Sequence, residues 1–215
     1  MKKFIIALDG PSGAGKSLIG RMIAAKYSLR YFPSSWLYRY LAYSCRQLNI
    51  KPDEIGNIIK LASKLEYLYE NNNLDLNTEE IGNYASKVAA IEEIREIINI
   101  ELQNIIAKTN RIIMEGRDIG SVVAVNAHLK IYLTADIKIR AERRYKQLCS
   151  EGKECILSDI LSLIQERDAR DKAREFAPLI VANNSLVIDS SHLTPEEIML
   201  KIEQHIVTHN AAELL

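Results

Sequence analysis

The chain has 215 residues, 47% of them hydrophobic, enough for one domain with a buried core and a small appended element or two. Lys and Arg (28) balance Asp and Glu (28), so no global field draws the protein to nucleic acid or anionic lipid. The three cysteines, Cys45, Cys149 and Cys155, lack a C-x-x-C spacing and fit buried or idle reduced thiols better than a disulfide or a zinc site.

Met1-Lys2-Lys3 precedes the apolar run Phe4–Leu8, but Asp9 and Gly10 end that run too soon for a signal peptide or a membrane span. A soluble, cytoplasmic protein is expected. Continuously apolar and followed by glycines, Phe4–Leu8 predicts a buried parallel strand. Ile19, Met22, Ile23 and Tyr27 give Lys16–Tyr27 a helical period. Leu29–Phe32 is a candidate second strand. Asn71-Asn72-Asn73, flanked by Leu65–Tyr69 and Leu74–Leu76, reads as a turn between two short strands or as a solvated loop. Glu92–Ala107 carries Ile94, Ile97, Ile98, Leu102 and Ile105 at helical spacing. Ile112–Met114 and Leu129–Leu133 are the third and fourth strands, and Asp136–Leu148 is an Arg-rich helix. Leu186–Ile188 is the fifth strand. Thr194 as N-cap, Pro195 at the first helical position and Glu197 closing a capping box start a last helix striped by Ile198, Ile202 and Ile206. Ala211–Leu215 is expected to fray. Short apolar strands alternating with helices predict an α/β fold, a five-stranded parallel sheet covered on both faces.

Gly10-Pro11-Ser12-Gly13-Ala14-Gly15-Lys16-Ser17 fits G-x-x-x-x-G-K-[ST], directly after a strand and before a helix. Glycines let successive N–H groups turn inward around a phosphate chain, and the helix start adds partial positive charge. Lys16 is then placed to reach the β and γ phosphates of ATP, and the Ser17 hydroxyl to ligate Mg²⁺. Asp9 either stands behind the Mg²⁺ ligands or is a hydrogen-bonded residue shaping the loop. GTPases, motor ATPases and small-molecule kinases all carry such a loop, so it does not identify the acceptor.

Three later clusters have the makings of an anion and sugar site: Ser34-Ser35-Trp36-Leu37-Tyr38-Arg39, Glu115-Gly116-Arg117-Asp118-Ile119-Gly120, and Arg167 through Arg174. The second follows a strand at the end where parallel sheets bind ligands. Charges there are costly unless they pair or meet a ligand. In the third, the spacing puts Arg167, Asp171 and Arg174 on one helical face. Arg140, Arg143 and Arg144 precede them. Taken singly, such Arg-Asp runs are common on solvated surfaces. Phosphoryl transfer gives a reason for many arginines, because it needs charge stabilisation and water exclusion more than covalent chemistry.

With these residues in place the chain resembles the bacterial cytidylate kinases. The resemblance rests on Ala7 through Ser17, Tyr38-Arg39, Ala85-Ser86-Lys87-Val88-Ala89-Ala90, Gly116-Arg117-Asp118-Ile119-Gly120, Arg143 through Leu148 and Glu166 through Asp171. Ala177-Pro178-Leu179 and Val187-Ile188-Asp189 complete it, in order over nearly the whole chain. It implies transfer of the γ-phosphoryl group of ATP to CMP or dCMP, with Mg²⁺, by a cytoplasmic monomer that binds neither nucleic acid nor membrane. It implies a single kinase domain of P-loop NTPase type: a core of about 1–32, 104–143 and 175–215, an acceptor-binding insert of about 33–103 and a lid of about 144–174. ATP would sit on Gly10, Pro11, Ser12, Gly13, Ala14, Gly15, Lys16 and Ser17. Arg39, Arg117 and Arg174 would hold the CMP phosphate; Ser86, Arg95 and Asp118 would read the cytosine edge; Arg167 and Asp171 would hold the sugar. Ser34 and Tyr38 belong to the same acceptor set. Lys16, Arg144, Arg170 and Arg174 would stabilise the transferring group.

The chain departs from the family pattern at three places. Pro33-Ser34-Ser35-Trp36 stands where relatives usually have Asp-Ser-Gly, Glu115 replaces an Asp, and the stretch between Leu65 and Ser86 is short. Two other readings remain at this level. A kinase of another acceptor, such as AMP or shikimate, would use the same fold, though the Ser86, Arg95 and Asp118 set argues against it. A nucleotide switch would carry an N-K-x-D element, and the sequence has none. His128, His192, His205 and His209 are scattered surface residues without metal-ligand spacing, and the tyrosines do not interleave with a basic patch.

Overall fold

The structure, a computed structural model, describes residues 3–64, 74, 76 and 78–208. Two compact units are present, Met1–Phe32 with Ile106–Leu215, and Pro33–Ile105.

The first unit is built on a five-stranded, all-parallel sheet in the order β2-β3-β1-β4-β5. The strands are β1 (Phe4–Asp9), β2 (Arg30–Pro33), β3 (Arg111–Gly116), β4 (Leu129–Thr134) and β5 (Leu186–Asp189). All six residues of β1 are buried, as an unbroken apolar run on a central parallel strand requires. Its register sets Leu8 beside Glu115 and Asp9 beside Gly116 on β3, and Asp9 beside Tyr132 on β4. Those pairings bring the chemistry-bearing ends of three strands together at one edge.

Helices α1 (Lys16–Tyr27) and α8 (Pro195–Thr208) share one core cluster with the sheet. Ile19 and Ile23 of α1 and Ile198, Ile202 and Ile206 of α8 meet Phe4, Ile6, Leu8, Ile113, Ile131, Leu133 and Ile188 there. Each such fully buried side chain contributes about 1.5–3 kcal/mol. The capping box of α8 forms as predicted: Thr194 N–H donates to Glu197 Oε2 at 2.8 Å, and Glu197 N–H to Thr194 Oγ1 at 3.2 Å. Helices α6 (Ile137–Ser150) and α7 (Leu157–Ala173) pack through a smaller cluster of Ala141, Leu148, Ile160 and Ile164. Asp136 caps α6 through Lys138 N–H.

The second unit holds α2 (Ser35–Gln47), α3 (Ile55–Ala62), α4 (Glu79–Val88) and most of α5 (Glu92–Lys108). In α4, Thr78 Oγ1 accepts from Ile81 N–H, and Glu79 and Glu80 complement the helix dipole.

The five predicted strands and the α1, α5, α6 and α8 helices are all present, their ends within a residue or two of those predicted. One expectation is corrected: Arg174 does not lie on a helical face. The Asp171 carbonyl accepts from Leu179 N–H at 2.8 Å instead of from a continuing turn, so α7 stops at Ala173 and Arg174 turns extended. Cys45 is buried, whereas Cys149 is exposed with its sulfur 3.8 Å from that of Cys155, both as free thiols. His128, exposed as expected, accepts from Ile5 N–H at 3.1 Å. The readings of Asn71–Asn73, most of the flanking segments, and Ala211–Leu215 fall outside the described residues, as does His209. Among the described residues, no helix is long and apolar enough to cross a membrane.

Candidate phosphate-binding site

The loop Gly10–Gly15 leaves β1 and enters α1, and its glycines take conformations closed to other residues. Gly10 has φ +146, and a Cβ there would lie 1.9 Å from the Leu133 carbonyl oxygen. Gly15, at φ 92, is the left-handed N-cap of α1. Three loop carbonyls are held by side chains. Lys16 Nζ donates to Pro11 O at 2.7 Å, Arg140 Nη1 to Ser12 O at 2.9 Å, and Ser190 Oγ to Ala14 O at 3.1 Å. Arg143 in turn fixes Ser190, donating to its hydroxyl at 3.0 Å and its carbonyl at 2.6 Å. With these carbonyls engaged, the loop amides are the backbone groups suited to an anion.

Arg140 is buried and has two further partners, the Ala135 carbonyl at 2.9 Å and the Asp168 carboxylate at 2.7 Å. The pair ties α7 to the loop through α6. Sequence reading noted Arg140 and Arg143 only as part of a basic run. Ser190 and Tyr31 gave no signal at all, because their roles depend on tertiary contacts.

Asp9 is buried, and its carboxylate accepts from the amides of Ile119 at 2.9 Å and Gly120 at 2.7 Å. These amides open a π-helical turn, Ile119–Val123, directly after Arg117-Asp118. Asp9 therefore shapes the segment after β3. Burial raises its pKa to about 6, against the two amide bonds that lower it. Beside it, Ser17 Oγ donates to Glu115 Oε1 at 3.1 Å, and the Tyr31 hydroxyl donates to Glu115 Oε2. Glu115 keeps the hydrogen-bonding role open to an Asp while reaching further.

Lys16 is buried, and desolvation first, then the charge of Arg117, bring its pKa down to about 7 against Glu115, Asp9 and Asp171. Arg117 Nε donates to Asp171 Oδ2 at 2.9 Å, and Arg174 Nη1 lies 3.7 Å from Asp171 Oδ1. Burial alone would raise the Asp171 pKa, but Arg117, Arg174 and Arg167 outweigh it and hold the carboxyl below its usual range. Burial likewise disfavours the Arg117 cation, and Asp171 more than restores it. Arg117, Arg167, Asp171 and Arg174 are thus one cluster. Arg144, half-buried on α6, is felt instead at Glu151 and Cys155 by the α6–α7 turn, and Arg170 is half-buried on α7. Asp118 is buried, and its charge is felt at Asp9.

In the second unit Arg39 Nη1 donates to Leu76 O at 2.5 Å, and the guanidinium lies over Gly82, where a Cβ would come within 3.0 Å of Nη2. Arg95, 2% exposed, donates to Ala89 O at 2.9 Å and sits 5.6 Å from the Tyr38 ring centroid. Ser34 is buried, Ser86 half-buried, and Trp36 stacks on Tyr40 at 5.1 Å.

Mg²⁺ suits this donor set. Among the described residues no group of three or more His, Cys, Asp or Glu forms a protein cage. The Ser17 hydroxyl, backed by the Glu115 carboxylate, is an oxygen donor that fits an ion carried mainly on substrate phosphates and waters.

A strand, a Gly-Lys-Ser loop and a helix on a parallel sheet with these braces define a P-loop phosphate-binding protein. The family model for cytidylate kinase matches residues 6–208. A cytidylate kinase of Rickettsia rickettsii (strain Sheila Smith) is 49% identical over 205 residues, covering 95% of this chain and 92% of its own. One of Rickettsia bellii (strain OSU 85-389) is 47% identical over 210 residues, covering 96% and 94%. Shikimate kinase from Bacteroides thetaiotaomicron shares the fold, with a TM-score of 0.51 and 12% identity over 96% of this chain and 98% of that one. The chain belongs to the cytidylate kinase family.

Proposed function

We propose that the protein transfers the γ-phosphoryl group of ATP to CMP or dCMP, giving CDP or dCDP and ADP, as a cytoplasmic monomer. One observation carries the phosphoryl chemistry: two cations, the buried Lys16 and the half-buried Arg117, stand close enough for the charge of Arg117 to depress the Lys16 pKa. Holding like charges together away from water is costly unless anions join them; Asp171 pairs with Arg117, yet Lys16 stays depressed in spite of Glu115, Asp9 and Asp171, so further anions are favoured there. ATP phosphates at Lys16 and a CMP phosphate at Arg117 meet that condition. Membership of the cytidylate kinase family supports cytosine as the acceptor base.

In this reading the loop amides and Lys16 bind the β and γ phosphates, and Arg39, Arg117 and Arg174 bind the acceptor phosphate. An oxygen of CMP attacks the γ phosphorus, a new P–O bond forms, and the bond to the β,γ-bridging oxygen breaks in line, releasing ADP. Ser17, backed by Glu115, would hold Mg²⁺, which when bound neutralises phosphate charge. Ser86, Arg95 and Asp118 pair with the cytosine edge, and a base that leaves them unpaired is penalised. Arg167 and Asp171 hold the sugar; Ser34 and Tyr38 complete the acceptor set. Residues 144–174 act as a lid over a core of about 1–32, 104–143 and 175–215, with 33–103 as the acceptor insert. Lid arginines Arg144, Arg170 and Arg174 stabilise the transferring group and exclude water.

A coupled ADP-release assay with an acceptor panel tests this. CMP and dCMP should be far better acceptors than AMP, UMP, GMP or shikimate. Comparable rates with AMP, or turnover indifferent to CMP, would overturn the assignment.

A further inference from the structure

Tyr31 lies on β2, next to β3 in the sheet, and does not belong to the phosphate loop. Its hydroxyl donates to Glu115 Oε2 while Ser17 donates to Glu115 Oε1 at 3.1 Å, so one carboxylate is engaged at both oxygens. The ring is seated against Gly20 of α1, where an added Cβ would come within 2.7 Å of Tyr31 Cε2. A small residue on α1 thus makes room for a large one on β2.

The chemistry of this relay runs in one direction. An ionised carboxylate only accepts, and a serine hydroxyl has a single proton. With that proton spent on Glu115, the lone pairs of Ser17 are left to face a cation. Anchored at one oxygen alone, a Glu side chain can rotate about its terminal torsion, which is broad. A second donor on the other oxygen removes that freedom. The extra methylene of Glu over Asp lets one carboxylate reach both strand β2 and helix α1.

Resting on the phosphoryl-transfer reading above, we infer that Tyr31 is a positioning residue for the metal that accompanies ATP, acting through Glu115 on the Ser17 hydroxyl. The partners behind a metal ligand typically contribute about 10–100-fold to metal affinity.

The test is Mn²⁺ binding to the ADP-loaded enzyme, read from the free-ion electron paramagnetic resonance signal. Tyr31→Phe keeps the ring on Gly20 and removes one donor; it should weaken Mn²⁺ about tenfold and leave the KM for CMP unchanged. In a Glu115→Asp background, where the shorter carboxylate does not span to β2, Tyr31→Phe should cost less than about twofold. Wild-type Mn²⁺ affinity in Tyr31→Phe, an equal loss in both backgrounds, or a parallel rise in the CMP KM would each overturn the role of Tyr31. The measurement needs no acceptor. Failure of CMP-dependent turnover in the wild type would sink the functional reading, and the Mn²⁺ titration would still decide for or against Tyr31.

Discussion

Asp168→Ala removes the carboxylate that faces Arg140 at 2.7 Å, in a pair whose side chains are only 9% and 6% exposed. Arg140 keeps two carbonyl partners, Ala135 O and Ser12 O, both at 2.9 Å, but its charge is left buried without a counter-ion. Breaking a buried pair from one side costs roughly 3–5 kcal/mol. The low end applies, because Asp168 Oδ1 has no hydrogen-bond partner among the described residues and its removal relieves a desolvation cost. About 3 kcal/mol lowers the melting temperature by about 6–12 °C in a chain of this size. Urea unfolding followed by circular dichroism gives the stability, and calorimetric titration gives the nucleotide affinities. Arg140 also braces the loop carbonyl of Ser12, so ATP binding should weaken more than CMP binding. The double variant Arg140→Met with Asp168→Leu should be more stable than Asp168→Ala, since no charge is left stranded. A single variant within about 1 kcal/mol of wild type, or a double variant worse than the single, would refute this reasoning.

Gly10→Ala should cost at least about 3 kcal/mol or abolish folding, because its Cβ would lie 1.9 Å from the Leu133 carbonyl oxygen at φ +146; near-wild-type urea unfolding would contradict it. Lys16 has a folded pKa of about 7 against 10.5 for the ordinary group. Between those values the unfolded chain binds a proton that the folded chain does not, so stability of the unliganded protein rises with pH, at about 1.4 kcal/mol per unit. Lys16→Met should lack that slope in melting curves taken across the window, and identical slopes would count against a desolvated ammonium. By the same linkage ATP binding near pH 8 should take up close to one proton at Lys16, visible as a buffer-dependent binding enthalpy.

The sheet was legible because parallel strands buried on both faces read as short apolar runs, as Phe4–Leu8 and Leu129–Leu133 do. The phosphate loop was legible because its glycines, Lys16 and Ser17 are set by local geometry. Helices α2 and α4 were not delimited, although Thr78-Glu79-Glu80 is a clear start signal and Leu37, Tyr38, Leu41, Ala42 and Cys45 have a buried helical spacing. Asp9 was left between two roles, and its carboxylate turned out to bind amides of residues 119 and 120, more than a hundred positions away. No local pattern reports a contact of that separation. The same holds for Arg143 on Ser190, Arg140 on Ser12, and Tyr31 on Glu115. The end of α7 at Ala173 depended on the Leu179 amide reaching back to Asp171, which helical spacing alone did not reveal.

In the proposed function two anions are held by separate cations, the buried Lys16 and the half-buried Arg117, and Arg117→Ala tests this most directly. Nucleotide affinities by calorimetry and steady-state KM values should show CMP weakened by about a hundredfold, the scale of a lost charge-assisted contact. ATP should bind within about threefold of wild type, or more tightly, because removing Arg117 relieves its repulsion of Lys16. Equal loss of both nucleotides would contradict a division of labour between Lys16 and Arg117.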